Sequence, residues 1–383
     1  MKTVLLSGHL PWWDQWQTPH YVARLLAGNA SVVYIEPRVA WTRDDAAFSW
    51  KRHLAPLSNP MRQVQKNLWR YTPWALPLGR FSRVASWNAR LFSRGLEEEL
   101  VRLSVSQPIL WLAETQNAPC LVKMFPQAPR VYHAIDHLVH EGDARVGREL
   151  ARTADLVLAS SPLIAKFLEG TNPRIRIFRN GWDFPPETLR AGPVPKDVAS
   201  IPSPRVGVVG FVSKNLDYAL LLELVRTLPI SLVLVGRTIA QLSTDDRRRL
   251  ESLRKTPRVY LLGEKPVAAL PRYLQAFDVC IAPYKMTPRI YASDPLKVYQ
   301  YLALGKPVVA TPVAVLEPLD PLVRIGRTHP EFIELLRREL AAPIDEGSQQ
   351  SRRTFACGSR WENRWKELQE FLAGDEKLAV LVS

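Results

Sequence analysis

The stretch SDPLKVYQYLALGKPVVAT, residues 293–311, holds the most pointed chemistry in this chain. Asp294 reads as an N-cap and Pro295 as the first helical residue. Gly305, with Pro307 beyond it, ends an amphipathic helix of about three turns, and a buried strand follows at 307–310. The start of such a helix, from Ser293 to Leu296, offers free backbone N–H groups and the positive end of a dipole, and Lys297 adds a cation within the first turn. That combination is a seat for a phosphate or diphosphate. Ordinary capped helices begin the same way, so the surrounding elements have to decide.

Proton-handling side chains lie at the ends of expected strands. Pro108–Ala113 and Arg130–His133 read as strands; Glu114 closes the first, and His133-Ala134-Ile135-Asp136-His137 closes the second. A carboxylate or imidazole there is placed for general acid–base work. After the first strand, Lys2–Gly8, a loop carries His9, Trp12, Trp13, Asp14, Trp16 and His20. Tryptophan faces stack on sugar rings, and clustered tryptophans plug cores equally well. Lys214, Arg237 and Arg289 fall in loops on one side of the C-terminal half. No Asp-x-Asp occurs, so a metal-held diphosphate is not expected, and Lys297 with its helix is left as the electrophilic clamp. Cys120, Cys280 and Cys357 have neither disulfide nor zinc spacing.

The elements that must position these residues alternate along the whole chain. Strand, loop, helix, strand recurs from Lys2 to Phe178, where Asn180-Gly181 turns the chain. It recurs again from Arg205, through strands at 205–210, 231–236, 258–263 and 278–283, to the helix that carries Lys297. The expected fold is α/β: two doubly wound Rossmann-like domains facing a cleft, with ligands at the carboxyl ends of the strands. The expected domains are 1–185 and 205–350. A proline-rich linker, 186–204, joins them, and 351–383 forms a crossing helix and tail that returns toward the N-domain.

Charge points to the partner. The net charge is +14 at 383 residues, which implies an anionic surface or substrate. Residues 41–94 carry ten Lys or Arg against two Asp. Trp41, Phe48, Trp50, Trp69, Trp74, Phe81, Trp87 and Phe92 are interleaved with them. Basic residues beside Trp and Phe suit the headgroup region of an anionic bilayer. A solvated face whose aromatics go to the core has the same composition. Nucleic acid is not expected, because no binding motif accompanies the charge. No apolar run reaches spanning length and the N-terminus lacks a signal-peptide pattern, so the expectation is a cytoplasmic protein, peripheral on the inner face of the cell membrane.

FDVCIAPYKMTPRIYASDPLKVYQYLALGKPVVAT, the NGWD turn and the strand–glycine–loop of VGVVGF together resemble the donor half of GT-B fold glycosyltransferases of the group-one superfamily. Gly263-Glu264, Ala282-Pro283-Tyr284, Lys297 three residues before Gln300, and Ala134 with Asp136 are similar to xanthan-type membrane-associated glucuronosyltransferases. Teichuronic-acid-type transferases are similar in the Asp-Pro-Leu-Lys helix. The resemblance implies transfer of a sugar from a nucleotide diphosphate sugar, a UDP-sugar, to a polyprenyl-linked or glycan acceptor, with no cofactor beyond that donor. It implies Asp136 as base, with His133 or Glu114 as substitutes. It also implies a donor site of Lys297, Gln300, Ser293, Asp294, Glu264, Tyr284, Gly210, Phe211, Arg237 and Arg289. His9, Trp12, Trp13 and His20 would meet the acceptor. Most group-one members have two Glu where this chain has Ala292 and Gln300. Gln300 can hydrogen-bond a ribose without charge, and the xanthan-type pattern implies inversion. A nucleotide-sugar epimerase of the same fold and a non-catalytic membrane or nucleic-acid adaptor are the competing expectations.

Overall fold

The computed structural model describes residues 2–12, 17–38, 59–76, 82–136, 138, 140–190, 192–239, 242–343 and 345–382. The chain divides into two compact units, Met1–Arg179 with Trp365–Ser383, and Asn180–Arg364.

The first unit is built on β1 (Thr3–Ser7), β2 (Ser31–Ile35), β3 (Met61–Gln65), β4 (Leu68–Tyr71), β5 (Ile109–Leu112), β6 (Arg130–Ala134), β7 (Leu156–Ala159) and β8 (Ile175–Ile177). Their order is β3-β4-β2-β1-β5-β6-β7-β8. Neighbours are parallel except β3 and β4, which form an antiparallel hairpin at the edge. Inner strands such as SVVYI and ILWL are apolar without alternation because helices cover both faces of the sheet. Strand order reverses between β1 and β5, so the loops after Ser7 and Leu112 flank the switch point. The C-terminal residues are fastened to this unit by Asp375 on Arg174, Lys377 Nζ on Asp155 at 2.8 Å, and buried Leu378 and Leu381.

The second unit is built on β9 (Arg205–Val209), β10 (Ser231–Val235), β11 (Val259–Leu261), β12 (Val279–Ala282), β13 (Val308–Ala310) and β14 (Arg324–Ile325). Their order is β11-β10-β9-β12-β13-β14, all parallel. One apolar layer holds Phe277, Val298, Tyr299, Tyr301 and Leu302; another holds Leu220, Leu224, Phe332 and Leu336. Burying each such side chain stabilises by about 1.5–3 kcal/mol. The switch point lies between β9 and β12.

Three expectations change. Residues 186–204 are not a free linker, because the division falls at Arg179/Asn180. This stretch contains a short 3-10 turn, Pro186–Thr188, and a helical turn, Lys196–Ala199, and Val198 and Ile201 enter the core beside Phe184 and Phe277. Two apolar side chains three apart suffice to anchor a stretch that has no periodicity of its own.

The basic aromatic segment is also divided in its fate. Trp41, Phe48, Trp50, Arg80 and Phe81 lie outside the described residues, as do Trp13, Asp14, Trp16 and His137. The hairpin β3–β4 occupies part of the rest, with its turn held by Asn67 at φ 61°. In the helix Ser82–Arg102, Phe92, Leu96 and Leu100 are buried at i, i+4, i+8. Trp87 is 58% exposed and stands with Arg83, Arg90 and Arg94 along one helical stripe. Trp69 and Trp74 are half-buried. Phe92 thus goes to the core, whereas Trp87 does not. Among the described residues no helix is long and apolar enough to cross a membrane.

Third, Asp294 does not cap the helix that follows it. The helix runs Leu296–Ala303 with Pro295 as N-cap and no side-chain cap bond. Gly305 ends it as expected, at φ +72°.

Candidate active site

In the second unit, the residues around the switch point are held by backbone. Gly210 N–H donates to the Val235 carbonyl at 2.9 Å, and Gly236 N–H to the Gly263 carbonyl at 2.8 Å. The turns after three adjacent strands therefore crowd together. Gly236 has φ +154°, and a Cβ there would stand 1.9 Å from the Gly210 carbonyl oxygen. Gly210 itself has φ +121°, and a Cβ would come within 3.2 Å of Lys297 Nζ. A side chain at Gly210 would therefore crowd the Lys297 ammonium.

Lys297 is half-buried in the first turn of the helix Leu296–Ala303. Its Nζ lies 5.0 Å over the Tyr284 ring, and among the described residues no carboxylate or hydrogen-bond acceptor pairs with it. Burial lowers its pKa to about 8. A cation without a counter-charge beside uncapped helix N–H groups is an arrangement that an anion completes. Tyr284 is buried, its N–H donating to Thr311 Oγ1 at 3.1 Å, and burial pushes its phenol above the ordinary range. Gln300 is three residues beyond Lys297 and hence on the same helix face.

Other expected donor residues have partners within the unit. Glu264, after β11, forms an ion pair with Arg237, after β10, at 2.7 Å. Ser293 Oγ donates to the Ile290 carbonyl at 2.7 Å, closing the short helix Pro288–Tyr291, on which Arg289 sits half-buried. Phe211, half-buried, follows Gly210. Asp294 is buried, and both its carboxylate oxygens accept hydrogen bonds, from Asn180 N–H and from the Tyr299 hydroxyl, each at 2.7 Å. Asn180 and Tyr299 are the partners that sequence reasoning missed, because nothing local to the NGWD turn points to residue 294.

In the first unit, several candidates for the chemistry are tied into the fold. His133 is fully buried in β6 between Trp111 and Phe178, with ring centroids 6.0 and 5.5 Å away. Burial drives its pKa to about 3, so it is neutral and out of reach of a substrate. Glu114 caps the helix Ala118–Met124, accepting N–H bonds from Gln116, Asn117 and Ala118. Burial outweighs those donors and raises its pKa. His20 is fully buried, with Nδ1 accepting from Gln17 N–H and Nε2 3.0 Å from the Pro11 carbonyl, and burial takes its pKa to about 4. Trp12 packs edge-on against His20 and Tyr34, at 5.2 and 5.0 Å. These residues pin the loop after β1. His9 is half-buried in that loop.

Glu36, which sequence reading passed over, is the hub of this edge. Its carboxylate accepts from Trp12 N–H and the Thr72 hydroxyl, and its carbonyl accepts from Asn117 Nδ2. Asp136 stands two residues past the end of β6, half-buried, in a turn fixed by Ser160 Oγ donating to the Ile135 carbonyl at 2.6 Å.

The fold is that of GT-B glycosyltransferases. Over 97% of this chain it superposes on 98% of the sucrose-phosphate synthase of Thermosynechococcus elongatus, with a TM-score of 0.71 at 16% identity. Over 97% it superposes on 99% of Anabaena HepE, solved in complex with UDP and glucose, with a TM-score of 0.63 at 16% identity. Residues 203–336, all within the second unit, match the family of glycosyl transferases group 1. A 171-residue stretch is 27% identical to the TuaH glycosyltransferase of Bacillus subtilis (strain 168), named for teichuronic acid biosynthesis. That similarity spans 43% of this chain and 42% of TuaH, less than half of the curated relative.

Proposed function

We propose that the protein is a glycosyltransferase that moves a sugar from a UDP-sugar to a polyprenyl-linked or glycan acceptor at the inner face of the cell membrane. The observation that carries this is the Lys297 ammonium, without a carboxylate partner among the described residues, beside Gly210 at the uncapped start of Leu296–Ala303. Helix N–H groups and one cation stabilise a departing diphosphate, where charge develops in the transition state. The UDP held by HepE and the group 1 match support a nucleoside diphosphate there.

Asp136 is the proposed base. The burial of His133 and the N–H bonds that Glu114 already accepts favour this carboxylate, two residues beyond β6, as the base. It takes the acceptor hydroxyl proton as that oxygen bonds to the anomeric carbon and the bond to the diphosphate breaks on the opposite face, which inverts the anomeric centre. Tyr284, Gln300 and the Arg237–Glu264 pair line the nucleotide in this reading.

The attachment surface is residues 41–94, of which the described stripe Arg83, Trp87, Arg90 and Arg94 supports contact with anionic lipid.

Thermal melts with UDP- and GDP-sugars test the donor assignment. A ligand of the folded state raises the melting temperature by mass action, so UDP is expected to raise it. Failure of every nucleoside diphosphate to do so overturns the reading.

A further inference from the structure

We infer that Asp294 is a positioning residue for the diphosphate seat, acting through Asn180 and Tyr299 and making no contact with the donor. The inference rests on the donor site proposed above and names how that site is held.

Every oxygen of Asp294 already accepts a hydrogen bond from within the unit. Oδ2 accepts from Asn180 N–H and Oδ1 from the Tyr299 hydroxyl, both at 2.7 Å, and its backbone carbonyl accepts from Asn180 Nδ2. All three residues are buried. A carboxylate free to face a diphosphate would repel it, and here the hydrogen bonds hold it on Asn180 and Tyr299. Their effect falls on the next residues. Pro295 has a restricted φ, so the direction in which the chain leaves Asp294 sets where the Leu296 and Lys297 N–H groups point.

The partner on the other side is itself immobilised. The Asn180 carbonyl accepts from Arg364 Nε at 3.4 Å. Trp182 donates its N–H to the Ser359 carbonyl at 3.0 Å and its Nε1–H to the Ala356 carbonyl at 2.6 Å, and accepts from Trp361 N–H at 3.1 Å. Gly181 permits this joint: a Cβ there would stand 2.9 Å from the Trp361 ring. Tyr299, one turn into the helix, grips Asp294 from the other direction. The first turn is therefore held at a fixed angle by a buried network that starts 114 residues away.

Calorimetric titration of UDP into the full-length chain tests this, with Asp294→Asn, Tyr299→Phe, Asn180→Ala and the Asp294→Asn/Tyr299→Phe pair. Asp294→Asn is expected to weaken UDP roughly tenfold, and Tyr299→Phe and Asn180→Ala a few-fold each. The double variant is expected to be little weaker than Asp294→Asn alone, because both changes break one network. The alkaline fall in affinity is expected to move to higher pH in each variant, since a loosened seat admits water to Lys297. If Tyr299→Phe and Asn180→Ala bind UDP like the parent, the inference is overturned whatever Asp294→Asn does, including unfolding. Should the parent bind neither UDP nor inorganic diphosphate, the donor site falls and this inference with it. UDP binding that only Lys297→Ala removes overturns this inference alone.

Discussion

Lys297 Nζ stands 5.0 Å over the ring of Tyr284, the aromatic face being its closest counterpart to a negative charge among the described residues. A ring quadrupole contributes about 0.5–2 kcal/mol to holding a cation, less than a phosphate would. Tyr284 thus steadies the ammonium without competing with a diphosphate for it.

Replacing Lys297 with Ala is expected to lower the transfer rate by about 2–4 kcal/mol of transition-state stabilisation. Melting temperature should hold or rise, because the variant no longer buries a charge. A well-folded Lys297→Ala protein with parental turnover would remove Lys297 from the site.

The depressed pKa of Lys297 gives UDP binding a pH dependence of definite sign. Below about 8 the ammonium is charged and favours the diphosphate; as pH rises through that value the free protein loses the charge and affinity falls. Lys297→Arg keeps the charge at all these pH values, so its alkaline fall should vanish. Calorimetry from about pH 6.5 to 9.5 distinguishes the two curves.

Asp136→Asn is expected to bind UDP-sugar like the parent and to transfer roughly a hundredfold more slowly or worse, since the amide keeps the shape and accepts no proton. Single-turnover kinetics isolate the step, and NMR of the product anomer tests inversion. Parental single-turnover rates in Asp136→Asn would place the base elsewhere.

Replacing Arg83, Arg90 and Arg94 with Gln is expected to abolish flotation with anionic vesicles while UDP affinity stays unchanged, because the two groups of residues belong to different units. About 1 kcal/mol per basic residue is lost, and flotation of the parent should fall with salt as the Debye length shrinks from about 10 Å at 0.1 M to about 3 Å at 1 M. Equal flotation with neutral vesicles would refute the electrostatic attachment.

His329 bridges two carboxylates, Asp217 Oδ2 and Glu223 Oε2, each at 3.0 Å. Burial opposes its charge, and the two carboxylates together outweigh burial and raise its pKa. The stabilisation is therefore complete below the unfolded-state pKa near 6.5 and is lost as pH rises through the raised value. The site is partly exposed, so His329→Gln should cost about 1 kcal/mol or less at about pH 6. By about pH 9 the melting temperatures of the two proteins should converge.

The alternation of strands and helices, the two-unit plan and the helix that presents Lys297 were all legible in the sequence. Each depends on residues within a few positions of one another: apolar runs bounded by turns, a proline at a helix start, a glycine at its end. What the side chains at those places do was not legible. Asp294 has the residue type of an N-cap, yet Asn180, 114 residues earlier, takes its carboxylate. His133 and Glu114 have the types of catalytic groups, yet one is sealed between Trp111 and Phe178 and the other caps a helix. Val198 and Ile201 turn a proline-rich stretch that looks like a linker into part of a core. Local propensity sets where an element begins and ends, whereas burial and hydrogen-bond partners come from chain segments brought together only by tertiary packing. That is why the sequence pointed to the kind of site and only the folded chain decided which of its polar residues are tied into the fold.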